Sequence, residues 1–230
     1  MSEREKILSR IREALTVAAP RPGGHIHDDH PLQAAPRAAA SSAREWLPPV
    51  GPTFDDHVRA FAANAAELNA EFHLLDSPDA LAPLLQKLRA AEGWQRAASH
   101  RGKLTDAGCQ ALGLPVLQTD KPYDVNDLEV CDAGITECDA LIAQTGSVLV
   151  TSRSAGGRAL SVLPPHHVVL ARRDQLLPDL PAAFELLQSR YADNPPSFIS
   201  FITGPSRTGD IERILVLGAH GPKKLTIICV

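Results

Sequence analysis

The chain has 230 residues, of which 44% are hydrophobic, enough for one α/β domain with an extension or for two small domains. Its net charge of −4 argues against a nucleic-acid-binding protein that depends on bulk basicity. No apolar run approaches the roughly 18 residues that a membrane-spanning helix needs. The N-terminus lacks the apolar segment of a signal peptide, which favours a cytosolic location. The four cysteines show no C-x2-C spacing, so we predict no zinc or iron–sulfur ligand set in this chain.

The N-terminal segment, residues 1–17, is predicted to be helical from residue 2 onward. Ser2 and Glu5 have the spacing of a capping box, and aliphatic residues recur at helical intervals. This helix could pack on a partner, on a second subunit or on its own domain.

Residues 18–52 contain seven prolines, three glycines and eight alanines, which leave few large side chains to bury. We therefore interpret this segment as a flexible linker, in which Trp46 and Leu47 could dock on the domain. The linker includes "HIHDDH" at 25–30. Metals favour these ligand types, but nothing there fixes their geometry, so we predict no metal site.

The compact domain is predicted to span residues 53–230, and its first half alternates helices with strands. In chain order we predict a helix from Thr53 to Leu68, a strand at 72–75, a helix at 77–88, a strand at 96–99, a helix at 105–112 and a strand at 115–118. This alternation is typical of a parallel, doubly wound sheet.

The second half of the domain changes character. We predict a β-hairpin over 139–152, strands at 158–164 and 167–172, a helix at 179–191, a strand at 197–202, a helix at 210–218 and a terminal strand at 225–230. The hairpin turns at a Thr-Gly pair, and the last helix is capped by Asp210 and ended by Gly218.

The loop "TGPSRTG", residues 203–209, lies between a predicted strand and a predicted helix. In open α/β sheets ligands collect beyond the carboxyl ends of strands, where free N–H groups at helix N-termini favour anions. Ser206 and Thr208 would add hydroxyl donors, and Arg207 a bidentate fork for phosphate or carboxylate. The alternative is a tight turn in which Arg207 is solvated or paired with Asp210.

Two other loops carry groups that could contact the same ligand. Thr145, Gly146 and Ser147 form the predicted hairpin turn, which needs no functional explanation but could touch a ligand at the sheet edge. Arg158 follows a Gly-Gly pair and could close over an anionic group, or it could be an exposed charge on a flexible turn.

Histidines and paired carboxylates are the remaining candidates for chemistry. His220 lies between small residues and should be accessible, whereas His167 begins an apolar strand and is more often structural; His166 is expected to face solvent. Glu137 and Asp139 are two residues apart, and such pairs can divide acid and base roles. More often such residues are solvated at the start of a strand.

Three motifs together resemble the lactate-utilisation (LUD) domain family, most of all its C component. They are A-Q-T-G-S around Thr145, G-G-R with L-P-P-H-H-V at 156–168, and G-P-S-R-T-G-D-I-E with G-A-H-G-P at 204–222. The resemblance implies a three-layer α/β/α sandwich with a mostly parallel sheet, like that of the ribose-phosphate and glucosamine-phosphate isomerases and the coenzyme A transferases.

The resemblance also implies a function and a set of partners. The C component takes part, with A-type and B-type lactate utilisation proteins, in cytosolic oxidation of L-lactate to pyruvate. The B type carries the iron–sulfur clusters, so the implied cofactor lies in a partner and none in this chain. Many relatives carry an acidic residue before the T-G pair, where this chain has Gln144.

The motif residues of the resemblance are those already singled out as candidates: Thr145, Gly146, Ser147, Arg158, His167, the run 204–210 and His220. Glu137 is then the nearest substitute for the acid that Gln144 replaces. The alternatives are a stand-alone isomerase or acyl/CoA transferase that uses Glu137 or Asp139, and a structural partner with a vestigial pocket.

Overall fold

The computed structural model describes residues 3–16, 48–211, 214–218 and 220–230. The chain forms two compact units, the first containing α1 (Glu3–Thr16) and the second containing all other described elements. The predicted N-terminal helix is therefore present. Most of the predicted linker, with "HIHDDH", Trp46 and Leu47, lies outside the described residues, and the predicted domain division stays a prediction.

The second unit is an α/β fold. In chain order its helices and strands are α2 (Phe54–Glu67), β1 (Glu71–Leu74), α3 (Leu81–Glu92), β2 (Ala97–Ser99), α4 (Lys103–Leu112), β3 (Val116–Gln118), α5 (Val125–Glu129), β4 (Ala133–Glu137), β5 (Ala140–Ile142), β6 (Ser147–Thr151), β7 (His166–Ala171), β8 (Leu176–Leu177), α6 (Leu180–Tyr191), β9 (Ile199–Ile202), β10 (Arg207–Ile211), β11 (Ile214–Leu217) and β12 (Lys224–Cys229).

A six-stranded sheet forms the centre of this unit, with strand order β1-β12-β7-β4-β2-β3. Every neighbouring pair in it is parallel. The C-terminal strand β12 lies inside the sheet, between β1 and β7, so the two ends of the domain sequence pair with each other. The predicted parallel sheet is confirmed.

Helices cover both faces of the sheet, which confirms the predicted three-layer arrangement. On one face Leu85 of α3 and Leu112 of α4 pack against Leu170 of β7 in one buried cluster. On the other face Phe61 of α2 packs with Val169 of β7. Alternate residues of β7 thus face opposite layers, as strand geometry requires.

A second, four-stranded sheet shares the α2 face of the central sheet, with strand order β8-β5-β6-β9. The predicted hairpin is confirmed as the antiparallel pair β5–β6, and α6 packs through Ala183 on Ile142 and Leu149. Within the described ranges no helix has the length and hydrophobicity required to cross a bilayer.

Two of the predicted elements are wrong. The segment 158–164 forms turns and a short 3-10 helix, Ala159–Ser161, instead of a strand. The predicted helix at 210–218 is the antiparallel hairpin β10–β11. Four consecutive aliphatic residues at 214–217 offer no polar face for a surface helix, and β-branched residues favour an extended backbone.

Candidate functional site

A cavity of about 270 Å3 lies between the two sheets, at the amino ends of β7 and β12. Loops that follow β9 and precede β12 close it on one side, and the turn at 158–162 closes it on another. Its polar lining residues are Arg158, Ser161, His167, Ser200, Thr203, Ser206 and His220. We expected the ligand site beyond the carboxyl ends of the parallel strands, but the cavity lies at their opposite ends.

Arg158 is the fixed positive charge of the cavity wall. Its side chain is exposed, and within the described part of the chain no carboxylate or carbonyl pairs with its guanidinium. The described lining contains no Asp or Glu. Because the described lining combines an unpaired guanidinium with several hydroxyls and holds no carboxylate, the cavity favours an anionic ligand.

The loop at 203–209 contributes side chains to the cavity but no helix N-terminus. The Ser206 N–H donates to the Pro222 carbonyl at 2.9 Å, and the Ser206 carbonyl accepts from the Gly218 N–H at 2.9 Å. These bonds hold the base of the β10–β11 hairpin. Backbone anion binding at a helix N-terminus was therefore the wrong expectation here, although the Ser206 side chain does line the cavity.

Three predicted binding residues follow Ser206, namely Arg207, Thr208 and Asp210. None of them is among the described residues that line the cavity. The Arg207 guanidinium donates to the carbonyl of Leu68 at the end of α2, where a positive charge also complements the helix dipole. Thr208 and Asp210 lie on β10, and their side chains fall outside the described part.

A chain of hydroxyl groups leads from the hairpin turn into the cavity. The Thr145 hydroxyl donates to Ser147 Oγ at 2.8 Å, and Ser147 Oγ lies 2.8 Å from Thr203 Oγ1. Either hydroxyl of the Ser147–Thr203 pair can be the donor, and in the arrangement in which Ser147 donates, the Thr203 hydroxyl is free to donate to a ligand. Thr145 and Ser147 are thus connected to the cavity through the hydroxyl of Thr203.

Gly146 has a packing role between those two hydroxyls. Its φ is +64°, and a Cβ there would lie 2.9 Å from the Asn64 Cβ on α2. The Asn64 side-chain amide donates to the carbonyls of Ala143 and Gln144, at 2.8 and 3.0 Å, and ties the turn to the helix. Gln144 donates to the Pro48 carbonyl at 3.0 Å.

His167 is a buried polar residue of the cavity wall. The residue is 1% exposed, and its Nε2 lies 2.9 Å from Thr136 Oγ1. Its Nδ1 has no partner among the described residues. Burial lowers the pKa of the ring to about 3, so the imidazole is neutral at physiological pH.

His166 points to the opposite face of the sheet and is buried at 4% exposure, so the expectation that it faces solvent was wrong. Its Nε2 lies 2.8 Å from Thr226 Oγ1, and its ring packs edge-on against Trp94 with centroids 5.1 Å apart. Burial also lowers its pKa. No signal in the sequence indicates this, because strand alternation does not show which face of a sheet is covered by other elements.

The two carboxylates proposed for catalysis are engaged in the fold. Glu137 Oε1 accepts the N–H groups of Leu104 and Thr105, at 2.7 and 3.3 Å, and so caps the N-terminus of α4. Asp139 is buried and accepts from Arg190 Nη1 at 2.8 Å and from the Tyr191 hydroxyl at 2.7 Å. Neither is among the described lining residues of the cavity.

Removal of the Glu137 carboxylate should therefore affect stability. We expect Glu137→Ala to lower the free energy of unfolding by about 1 to 2 kcal/mol, because two N–H groups at the start of α4 lose their acceptor. Urea denaturation would measure this, with Glu129→Ala on the exposed surface as control. An intact stability combined with loss of anion affinity would contradict the capping role.

Among the described residues no group of three or more His, Cys, Asp or Glu side chains is placed to hold a metal ion. The four cysteines are free thiols. Burial raises the pKa of Cys138, and it raises that of Cys229 to about 11, so these two thiols are protonated and unreactive near neutral pH.

Comparison with known proteins agrees with this architecture. The LUD domain family matches residues 58–230. A lactate utilization protein C from Deinococcus radiodurans is 28% identical over 210 residues, covering 84% of this chain and 91% of the relative. A second, from Geobacillus kaustophilus, is 26% identical over 223 residues, covering 89% and 93%.

The fold also has a solved counterpart. A crystal structure of a DUF162 family protein from Deinococcus radiodurans superimposes with a TM-score of 0.59 at 21% identity, covering 78% of this chain and 99% of that one. At this identity the similarity bears on the fold alone. With the family match over three quarters of the sequence, it follows that the chain belongs to the LUD domain family and resembles its lactate utilization protein C members.

Proposed function

We propose that this chain is the cluster-free subunit of a cytosolic iron–sulfur system that oxidises L-lactate to pyruvate. We further propose that it binds a small carboxylate, or a phosphate-bearing cofactor, in the cavity beside Arg158. The names of its relatives support the first statement. The observation that carries the second is the unpaired Arg158 guanidinium in a cavity without a described carboxylate.

The binding chemistry follows from the lining. Arg158 would pair with the anionic group through two parallel N–H bonds, and the hydroxyls of Thr203 and Ser206 would donate to its oxygens. His220, which is exposed at the cavity, could move a proton to or from the ligand. Apolar side chains such as Phe198 and Leu225 would contact the carbon skeleton.

The contacts of the carboxylates weigh against the alternative of a stand-alone isomerase or acyl/CoA transferase. Such chemistry needs a carboxylate free to act as base or nucleophile. Glu137 caps α4 and Asp139 is paired with Arg190. A vestigial pocket is also less well supported, because the cavity retains a charged group and several hydroxyls.

The proposed partners are A-type and B-type lactate utilisation proteins, of which the B type would hold the iron–sulfur clusters. Co-expression of the tagged full-length chain with both proteins from the same genome tests this. Co-purification of all three, with the absorbance of iron–sulfur clusters, is the expected result. Recovery of the tagged chain alone would contradict the assembly.

The ligand site is tested by Arg158→Ala. We expect the affinity for L-lactate, pyruvate or phosphate, whichever binds the unmodified protein, to fall roughly 10- to 100-fold, because one charge-assisted pair is lost. Isothermal titration calorimetry measures the change. Arg158→Lys should recover part of the affinity, since it keeps the charge but not the bidentate geometry.

The matched control is Arg59→Ala, which removes a positive charge from an exposed position on α2. Its affinity for the anion should equal that of the unmodified protein. Equal losses in the two variants would mean that net charge alone matters, and no loss in Arg158→Ala would remove Arg158 from the site.

A further inference from the structure

We propose that His167 is a second ligand-binding residue of the cavity, and that its Nδ1 forms a hydrogen bond with an uncharged oxygen of the bound anion. The ligand class is thus a small anion that carries a hydroxyl or a carbonyl in addition to its charged group. This inference rests on the proposed function, because it assigns the charged group to Arg158.

The first support is the position of the imidazole. His167 is the second residue of β7, and its neighbours in register are Gly134 on β4 and Leu225 on β12. It is therefore held in the middle of the central sheet, where the backbone is most constrained. Its side chain points between the two sheets and lines the same cavity as Arg158.

The second support is an unsatisfied polar atom. Buried nitrogen atoms in folded proteins are nearly always hydrogen-bonded, and an exception calls for a ligand or a water. Nδ1 of His167 is buried and has no partner among the described residues, whereas Nε2 bonds to Thr136. Nδ1 of His166 is also unpartnered, but that ring packs against Trp94 on the other face.

The chemistry of the ring defines the group that it would accept. Burial keeps the imidazole neutral, so it carries one N–H and one lone pair. If Nε2–H donates to the Thr136 hydroxyl, Nδ1 accepts from a ligand hydroxyl. If the Thr136 hydroxyl donates to Nε2 instead, Nδ1–H donates to a ligand carbonyl. The same atom can therefore bind the alcohol and the ketone form of one compound.

A pair of acids tests the inference on the unmodified protein. L-lactate and propionate share the carboxylate and the three-carbon skeleton, but only lactate has the 2-hydroxyl. We expect lactate to bind at least about 10-fold more tightly, since the hydrogen bond to Nδ1 is available to it alone. Isothermal titration calorimetry at constant ionic strength measures both affinities.

Variants assign the discrimination to His167. In His167→Leu the affinity for lactate should fall to that for propionate, while propionate binding stays unchanged. His167→Asn, which keeps a polar group near the position of Nδ1, should retain part of the preference. His166→Gln on the opposite face is the matched control and should discriminate as the unmodified protein does.

A spectroscopic measurement keeps the test independent of how the variants fold. In protein labelled with 15N-histidine, the Nδ1 resonance of His167 should shift when lactate is added and should not shift with propionate. Equal affinity for both acids, or an unchanged resonance with lactate bound, would overturn the role of His167. The role of Arg158 would survive that result if Arg158→Ala still weakened both acids. If neither acid binds, the proposed carboxylate site and this inference both fail.

Discussion

Replacing Gly146 with alanine is expected to lower the free energy of unfolding by about 3 kcal/mol. Two effects add at this position. The backbone has a φ of +64°, which an L side chain rarely adopts, and the new Cβ would lie 2.9 Å from the Asn64 Cβ and 3.0 Å from the Ala65 nitrogen. Because these atoms belong to the body of α2, neither can move without displacing the helix.

Gly113→Ala separates the two effects. Gly113 has nearly the same φ, +61°, but a Cβ there would meet nothing within 4 Å. We expect a loss of only about 1 kcal/mol, the cost of the left-handed backbone alone. Urea denaturation followed by circular dichroism compares the two variants. Equal losses would show that the close approach of the hairpin turn to α2 is not tight.

The result bears on how the T-G-S motif should be interpreted. Gly146 holds the turn against α2, while Thr145 and Ser147 on either side of it form the hydroxyl chain to Thr203. The motif therefore combines a packing requirement with a polar one. Of the three hydroxyl groups in this hydroxyl chain, only that of Thr203, which lies outside the motif, belongs to a described lining residue of the cavity. A sequence motif of this kind marks the neighbourhood of a site without consisting of ligand contacts.

The fold could be predicted where local signals are strong. Thr53 caps α2 as its sequence indicated, and Asp56 completes the capping box. The β5–β6 hairpin and the strands β7 and β12 follow from their apolar patterns. Strand β4 was missed, because "AGITE" is short, begins with small residues and has no alternation that marks a strand.

The site was less predictable, because it depends on long-range contacts. Arg158 and Arg207 both follow glycine-containing turns, and no local rule tells which one faces the cavity. The Arg207 guanidinium donates a hydrogen bond to the carbonyl of Leu68, which lies 139 residues earlier in the sequence. Its assignment as an anion ligand also depended on a helix at 210–218, and the extended backbone of β10–β11 removed that support.

Acidification is expected to destabilise the fold through His167, starting at neutral pH. The pKa of its imidazole is about 3 in the folded chain, against an ordinary value of 6.5. Near and below pH 6.5 the unfolded chain takes up a proton that the folded chain does not. The contribution of His167 to the free energy of unfolding is therefore fully present well above pH 6.5 and is lost as the pH decreases. The expected slope is about 1.4 kcal/mol per pH unit, or about 3 kcal/mol by roughly pH 4.5.

The slope of the free energy of unfolding against pH depends on the number of protons taken up on unfolding. It can therefore be measured separately from the overall stability. His166 adds to it in the same direction, because burial also lowers its pKa. His167→Gln keeps a group that can bond to Thr136 but cannot take up a proton, so the slope should decrease by one proton even if the variant is less stable at pH 7. Phe61→Leu, which only removes buried volume, should shift the whole curve without changing its slope.

An identical slope in His167→Gln and in the unmodified protein would mean that the ring is already charged or solvated in the folded chain. The neutral imidazole that the proposal requires would then be absent, so this measurement also tests the premise of ligand binding at His167.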